Sequence, residues 1–172
     1  MSDTVKSHQE LSMKYHLRSR VHPDAIPPSD QKRFDIFLLD TGWNSSVARL
    51  VREQVPVIFR YHPQDSLYIL SKEQSLSIIK RDPELIGKDP IILVYDLFGS
   101  SAGGSKNYRG FRLNLGLIRH AEQALARLQD FVRFIVVHRQ TADIEREVNR
   151  ELHRDGLQGM LKILTETTTE LL

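Results

Sequence analysis

Pro90-Ile91-Ile92-Leu93-Val94-Tyr95 is the most restrictive stretch of this chain. A half-buried strand alternates apolar and polar residues, whereas this run presents apolar side chains to both faces. Such a strand belongs in the middle of a sheet covered above and below, and helices are the usual cover. The chain has 172 residues, which suits one such domain with an appendage at roughly 100–200 residues per domain.

The rest of the chain supplies both element types. Phe34-Asp35-Ile36-Phe37-Leu38-Leu39-Asp40 reads as a buried strand ended by Thr41-Gly42. Asn44 or Ser45 can cap a helix whose apolar face is Val47, Leu50, Val51 and Val55. Pro56 to Tyr61 is expected as a second strand, continued by Leu67-Tyr68-Ile69-Leu70. Ser71 and Gln74 form a capping box for a helix that stops near Asp82-Pro83. After the apolar run, Gly99 to Ser105 reads as a flexible loop and Tyr108 to Leu115 as a more exposed strand. Ile118, Ala121, Leu125, Leu128, Val132 and Ile135 recur at helical steps up to about Val137.

Residues 1–33 read as an N-terminal arm, 34–139 as the α/β domain and 140–172 as a helical tail. The tail carries four basic against seven acidic residues, a net −3, whereas residues 34–139 carry fourteen against eleven, +3. Ile144, Val148 and Leu152 share one helical face, and Met160, Leu161 and Leu164 form a second cluster beyond Gly156. These six residues are expected to bind a partner, either another protein or a second copy of the chain. The opposed charges would steer that docking.

Composition removes several function classes. Cysteine is absent, so disulfides, thiolate nucleophiles and Cys-ligated metals are excluded. The seven histidines show no compact metal spacing, and no metal or cofactor is expected. A net charge of +2 does not argue for nucleic acid. No apolar run approaches the roughly 18 residues of a membrane span, and no secretory signal stands at the start, so no membrane partner and a cytoplasmic location are expected.

The order strand, helix, strand, helix, strand, strand, helix over residues 34–137 resembles the thioredoxin-like fold. Gly42-Trp43-Asn44-Ser45-Ser46-Val47 stands where that family carries its active-site turn. Asp89-Pro90-Ile91 stands where it has a cis-proline before its central strand, and Gly116 matches its glycine after the last strand. The resemblance implies a three-layer sandwich in which Trp43, Asn44 and Pro90 are structural turn residues. The family's two cysteines would fall near Asn44 and Val47, so it also implies a non-catalytic binding member.

Three other stretches resemble catalytic motifs. Leu38-Leu39-Asp40-Thr41-Gly42 is similar to the Asp-Thr-Gly of retroviral-type aspartic proteases, but the residues after Gly42 read as helix and no glycine-rich flap follows. Asp96-Leu97-Phe98-Gly99-Ser100 resembles the nucleophile motif of haloacid dehalogenases, but Phe98 replaces the second acid. Gly99 to Lys106 resembles a phosphate-binding P-loop with lysine and hydroxyl residue transposed, and strand rather than helix follows.

The expected function is therefore a non-enzymatic adaptor, accessory subunit or assembly factor. The competing expectation is a small hydrolase or transferase using Asp40 and Asp96, each at a strand end. Without a sulfur nucleophile the chain should leave dithiols and disulfides untouched. In an insulin-reduction assay the pure protein is expected to give only the uncatalysed background, and clear turnover would contradict the non-catalytic reading.

Overall fold

The computed structural model describes residues 32–62, 64–98, 107–154 and 160–165, with the side chains of 152–154 excepted. The elements run β1 (Phe34–Leu39), α1 (Ser46–Arg60), β2 (Ser66–Ile69), α2 (Lys72–Arg81), β3 (Ile91–Asp96), β4 (Tyr108–Asn114), α3 (Ala121–Val137), α4 (Ile144–Arg154) and β5 (Leu161–Thr165). The protein is mixed α/β, with a five-stranded mixed sheet in the order β2-β1-β3-β4-β5. β1 and β2 are parallel, and every other neighbouring pair is antiparallel.

β3 lies in the middle, as its apolar run requires, and all six of its residues are buried. Ile92 and Val94 face one core with α1, α3 and α4; Ile91, Leu93 and Tyr95 face a second core under α2. Phe111 is the hub of the first core, with Phe34, Phe131 and Phe134 edge-on around it. The Asp89–Pro90 peptide is cis. The Ser71–Gln74 capping box is formed in both directions. None of the helices among the described residues is long and apolar enough to cross a membrane.

Three expectations are corrected. Pro56 to Arg60 is the last turn of α1 rather than a strand. The four-residue spacing of Val51, Val55 and Phe59, all buried, carries the helix through Pro56, although its ring deletes the bond to the Arg52 carbonyl. β2 therefore consists only of Ser66–Ile69. The boundary at residue 33 also moves, since Arg33 is buried and Lys32 pairs with the buried Asp35 of β1. The rest of the arm, residues 1–31, lies outside the described residues.

The third correction concerns the tail. Among the described residues of the tail, Ile144–Arg154 is helical, and Leu161–Thr165 is a strand that extends the sheet along β4. Ile144, Val148, Leu161 and Leu164 are all buried within the chain, and Met160 packs against the first core. They are core residues and not a free docking face; the Leu152 side chain lies outside the described residues. The physical reason is coverage: α1 and α3 leave β4 without an edge partner, and the tail both pairs that edge and roofs it. Leu164→Ala is accordingly expected to cost about 2–5 kcal/mol of stability, read as a lowered urea midpoint. Deleting residues 140–172 should abolish the cooperative transition.

Candidate functional site

Asp40 and Asp96 do not meet. Phe34 pairs with Asp96 and Leu39 with Ile91 across β1 and β3, so the two carboxylates sit at opposite ends of the sheet. Six strand residues separate them, about 20 Å at about 3.4 Å per residue. The two-aspartate catalytic expectation fails on this register, because the strands that carry them are antiparallel and their carboxyl ends point apart.

Asp96 is moreover fully engaged. Arg33 donates to both of its oxygens, Nε to Oδ1 at 3.1 Å and Nη2 to Oδ2 at 2.9 Å. The Phe98 N–H donates to Oδ1 at 3.1 Å and the Tyr108 hydroxyl to Oδ2 at 3.2 Å. Burial pushes the Asp96 carboxyl above its usual range, opposed by the Arg33 charge and these hydrogen bonds. Burial, followed by Asp96 itself, raises the Tyr108 phenol. The third guanidinium nitrogen of Arg33, Nη1, donates to the Arg139 and Thr141 carbonyls at 2.8 and 2.7 Å. Asp65 completes the cluster by accepting from the Arg33 and Phe34 N–H groups, at 3.1 and 2.9 Å, and pairing with Arg139. Asp96 thus accepts four hydrogen bonds from the chain itself, the pattern of a structural clasp.

The opposite end of the sheet is built differently. There the chain leaves β1, β2 and β4 and enters β3 and β5. Asp40 turns its carboxylate back on its own loop. Oδ1 accepts from the Gly42 N–H at 2.8 Å and Oδ2 pairs with Arg52 Nε at 2.6 Å. Gly42 takes a φ of +84° in this turn, where a side chain would be strained. Arg52 also donates to the Trp43 carbonyl, so the turn is held from α1. Thr41 donates through its N–H, at 3.1 Å, and its hydroxyl to Asp89 Oδ2. Gly116 donates to the Lys88 carbonyl at 3.0 Å and Leu115 to the Pro90 carbonyl at 2.9 Å. A Cβ on Gly116 would lie 2.2 Å from the Asp89 carbonyl oxygen, so only glycine lets these loops touch.

Trp43, Asn44 and Pro90 thus belong to one end of the sheet, with Asp40 beneath them. Trp43, Ile86 and Leu117 stand in the connections at this end and Ile69 is the last residue of β2; in chain order Trp43, Ile69, Ile86 and Leu117 are 64, 57, 64 and 44% exposed. Beside them Ile118, Gln123, Ala126, Arg127 and Met160 line a recess of about 300 Å³. Ile69, Ile86 and Leu117 were not singled out in the sequence, because each reads locally as an ordinary apolar residue. The signal that unites them is tertiary. Among the described residues no group of three His, Asp or Glu side chains could hold a metal ion. The P-loop-like stretch, residues 99–106, lies outside the described residues.

Arg33→Ala is expected to cost about 3–5 kcal/mol, since it leaves Asp96 buried without its counter-ion. Arg127→Ala, on the partly solvated pair with Asp130, should cost less than about 1 kcal/mol. Urea unfolding of the two variants checks the contrast.

No family model, curated protein or solved structure matches the chain.

Proposed function

We propose that the chain is a non-enzymatic protein-binding module of thioredoxin-like architecture, serving as an adaptor, accessory subunit or assembly factor. The observation that carries this reading is the exposure of four large apolar side chains, Trp43, Ile69, Ile86 and Leu117, at the same end of the sheet. Large apolar side chains gathered on one face mark an interaction site, whereas the same residues scattered singly do not. The carboxylates beneath them are bonded to Arg52, Gly42 and Thr41, which favours a scaffold over a reacting group.

The architectural part of the proposal is supported by element order and by three positions. The Trp43 turn follows β1 and opens α1, Pro90 stands at the start of β3, and Gly116 follows β4. Residues 44 and 47 are Asn and Val, so a binding role replaces thiol chemistry at that turn.

A tagged wild-type chain is expected to retain a partner from native extract that a Trp43→Ala, Ile86→Ser, Leu117→Ser variant loses. Val137→Ser, at the C-terminal end of α3 and far from these loops, should retain it. Mass spectrometry identifies the retained protein, and size-exclusion chromatography of the pure chain separates a second copy from a different partner. Equal recovery by wild type and the triple variant would overturn the assignment of this face.

A further inference from the structure

We propose that the outer edge of β2 is a separate docking surface, which takes an extended segment of another polypeptide as an added strand. β2 stands at one edge of the sheet, beside β1. Backbone groups alternate in direction along a strand. The Leu70 N–H donates to the Leu38 carbonyl at 3.1 Å, so Ser66, Tyr68 and Leu70 turn their backbone groups to β1. Leu67 and Ile69 turn theirs outward. Among the described residues nothing bonds to these outward N–H and C=O groups. Sheet edges are ordinarily protected by charged side chains, proline or a bulge. Ser66-Leu67-Tyr68-Ile69 carries no charge and no proline, and its register with β1 is unbroken. β5, at the opposite edge, carries the exposed Lys162 within the strand.

The edge is held in place before anything docks. Asp65, at the entry to β2, accepts from the Arg33 and Phe34 N–H groups and pairs with Arg139. The Tyr68 ring stacks on Phe37, with centroids 5.0 Å apart. A row of donors and acceptors fixed in this way costs little to order on binding. Its chemistry selects the occupant. Alternating N–H and C=O groups at strand spacing are matched by an extended peptide backbone, a repeat that lipid headgroups and nucleic acid lack. Leu67 packs on the first core and the exposed Ile69 stands on the same side, while Tyr68 faces the other. Apolar residues at alternate positions of the segment therefore meet Leu67 and Ile69. A second copy is disfavoured by area. Stable interfaces bury about 1,200–2,000 Å², and a strand of four residues spans only about 13 Å. A transient peptide complex needs no such area. Ile69 stands at the corner of this edge and of the apolar end of the sheet, and the two surfaces are otherwise distinct.

The test is selection of a phage-displayed random-peptide library on the full-length chain. Enriched peptides are synthesised unmodified and N-methylated on either alternate set of amides, and their affinities are measured by fluorescence anisotropy. One set of N-methyl groups should lower affinity about tenfold or more and the other should leave it nearly unchanged, because one row of amides faces β2. Ile69→Pro removes an outward N–H and no bond to β1, and should abolish binding, whereas Ile69→Ala should retain it. Circular dichroism checks the fold of both variants, and the methylated peptides decide the matter on the wild-type chain if Ile69→Pro does not fold. Amide exchange should be fast at Leu67 and Ile69 in the free chain and slowed by the peptide. Equal effects of the two methylation patterns would overturn the added strand. Binding kept by Ile69→Pro but lost in a Trp43→Ala, Ile86→Ser, Leu117→Ser variant would assign the peptide to the apolar end of the sheet and overturn the edge alone. Protection of Leu67 and Ile69 in the free chain would overturn the proposal, in favour of a second copy where dilution removes it and of the chain's own residues where dilution does not. No enrichment would overturn it as well.

Discussion

The guanidinium of Arg33 is the point at which the chain is tied together. It grips Asp96 at the end of β3 with two parallel hydrogen bonds and holds the Arg139 and Thr141 carbonyls with its remaining nitrogen. Through Asp96 it reaches the hydroxyl of Tyr108 at the start of β4. Through the neighbouring Asp65 and Arg139 it reaches the approach to β2 and the end of α3. A buried ion pair gains little over an apolar filling, because desolvation offsets its Coulomb attraction. Its value here is directional: a planar fork accepts one arrangement of partners, and that arrangement fixes where α3 gives way to α4.

The two ends of the sheet use charge in opposite ways. At the Arg33 end, charges and polar groups bury one another and hold the backbone. At the Asp40 end, Asp40 and Asp89 are buried and serve the loops from below, and large apolar side chains are left outward. This polarity follows from the antiparallel register of β1 and β3, which places Asp40 and Asp96 apart. Two strand-terminal aspartates that look equivalent along the chain thereby become a loop anchor and a core counter-ion.

The parts of this arrangement written in local patterns were legible in the sequence. The unbroken apolar run of β3, the Ser71–Gln74 box and the periodicity of α3 all depend on neighbours within a few residues. What was misread depended on partners far away. Val57-Ile58-Phe59 has strand-like composition, yet Val57 is exposed and Phe59 buried because α1 turns between them. Leu161 and Leu164 are spaced like helix neighbours, but they lie in an edge strand and join opposite cores. The Arg33–Asp96 pair spans 63 residues, and no periodicity announces it. Trp43 and Pro90 were legible through their turn and strand positions, whereas Ile69, Ile86 and Leu117 gained meaning only when the loops converged.

β5 has a consequence for assembly of the fold. It pairs with β4 only after α3 and α4 have been threaded between them in the chain. Until that pairing forms, β4 presents an open row of backbone donors and acceptors beside Phe111, a ready template for any other extended chain. The same strand contributed by a neighbouring molecule would fit the vacancy equally well, since the register Leu113–Leu161 does not distinguish the source. Crowded nascent chains are therefore open to strand exchange at this edge until β5 has returned to its own β4.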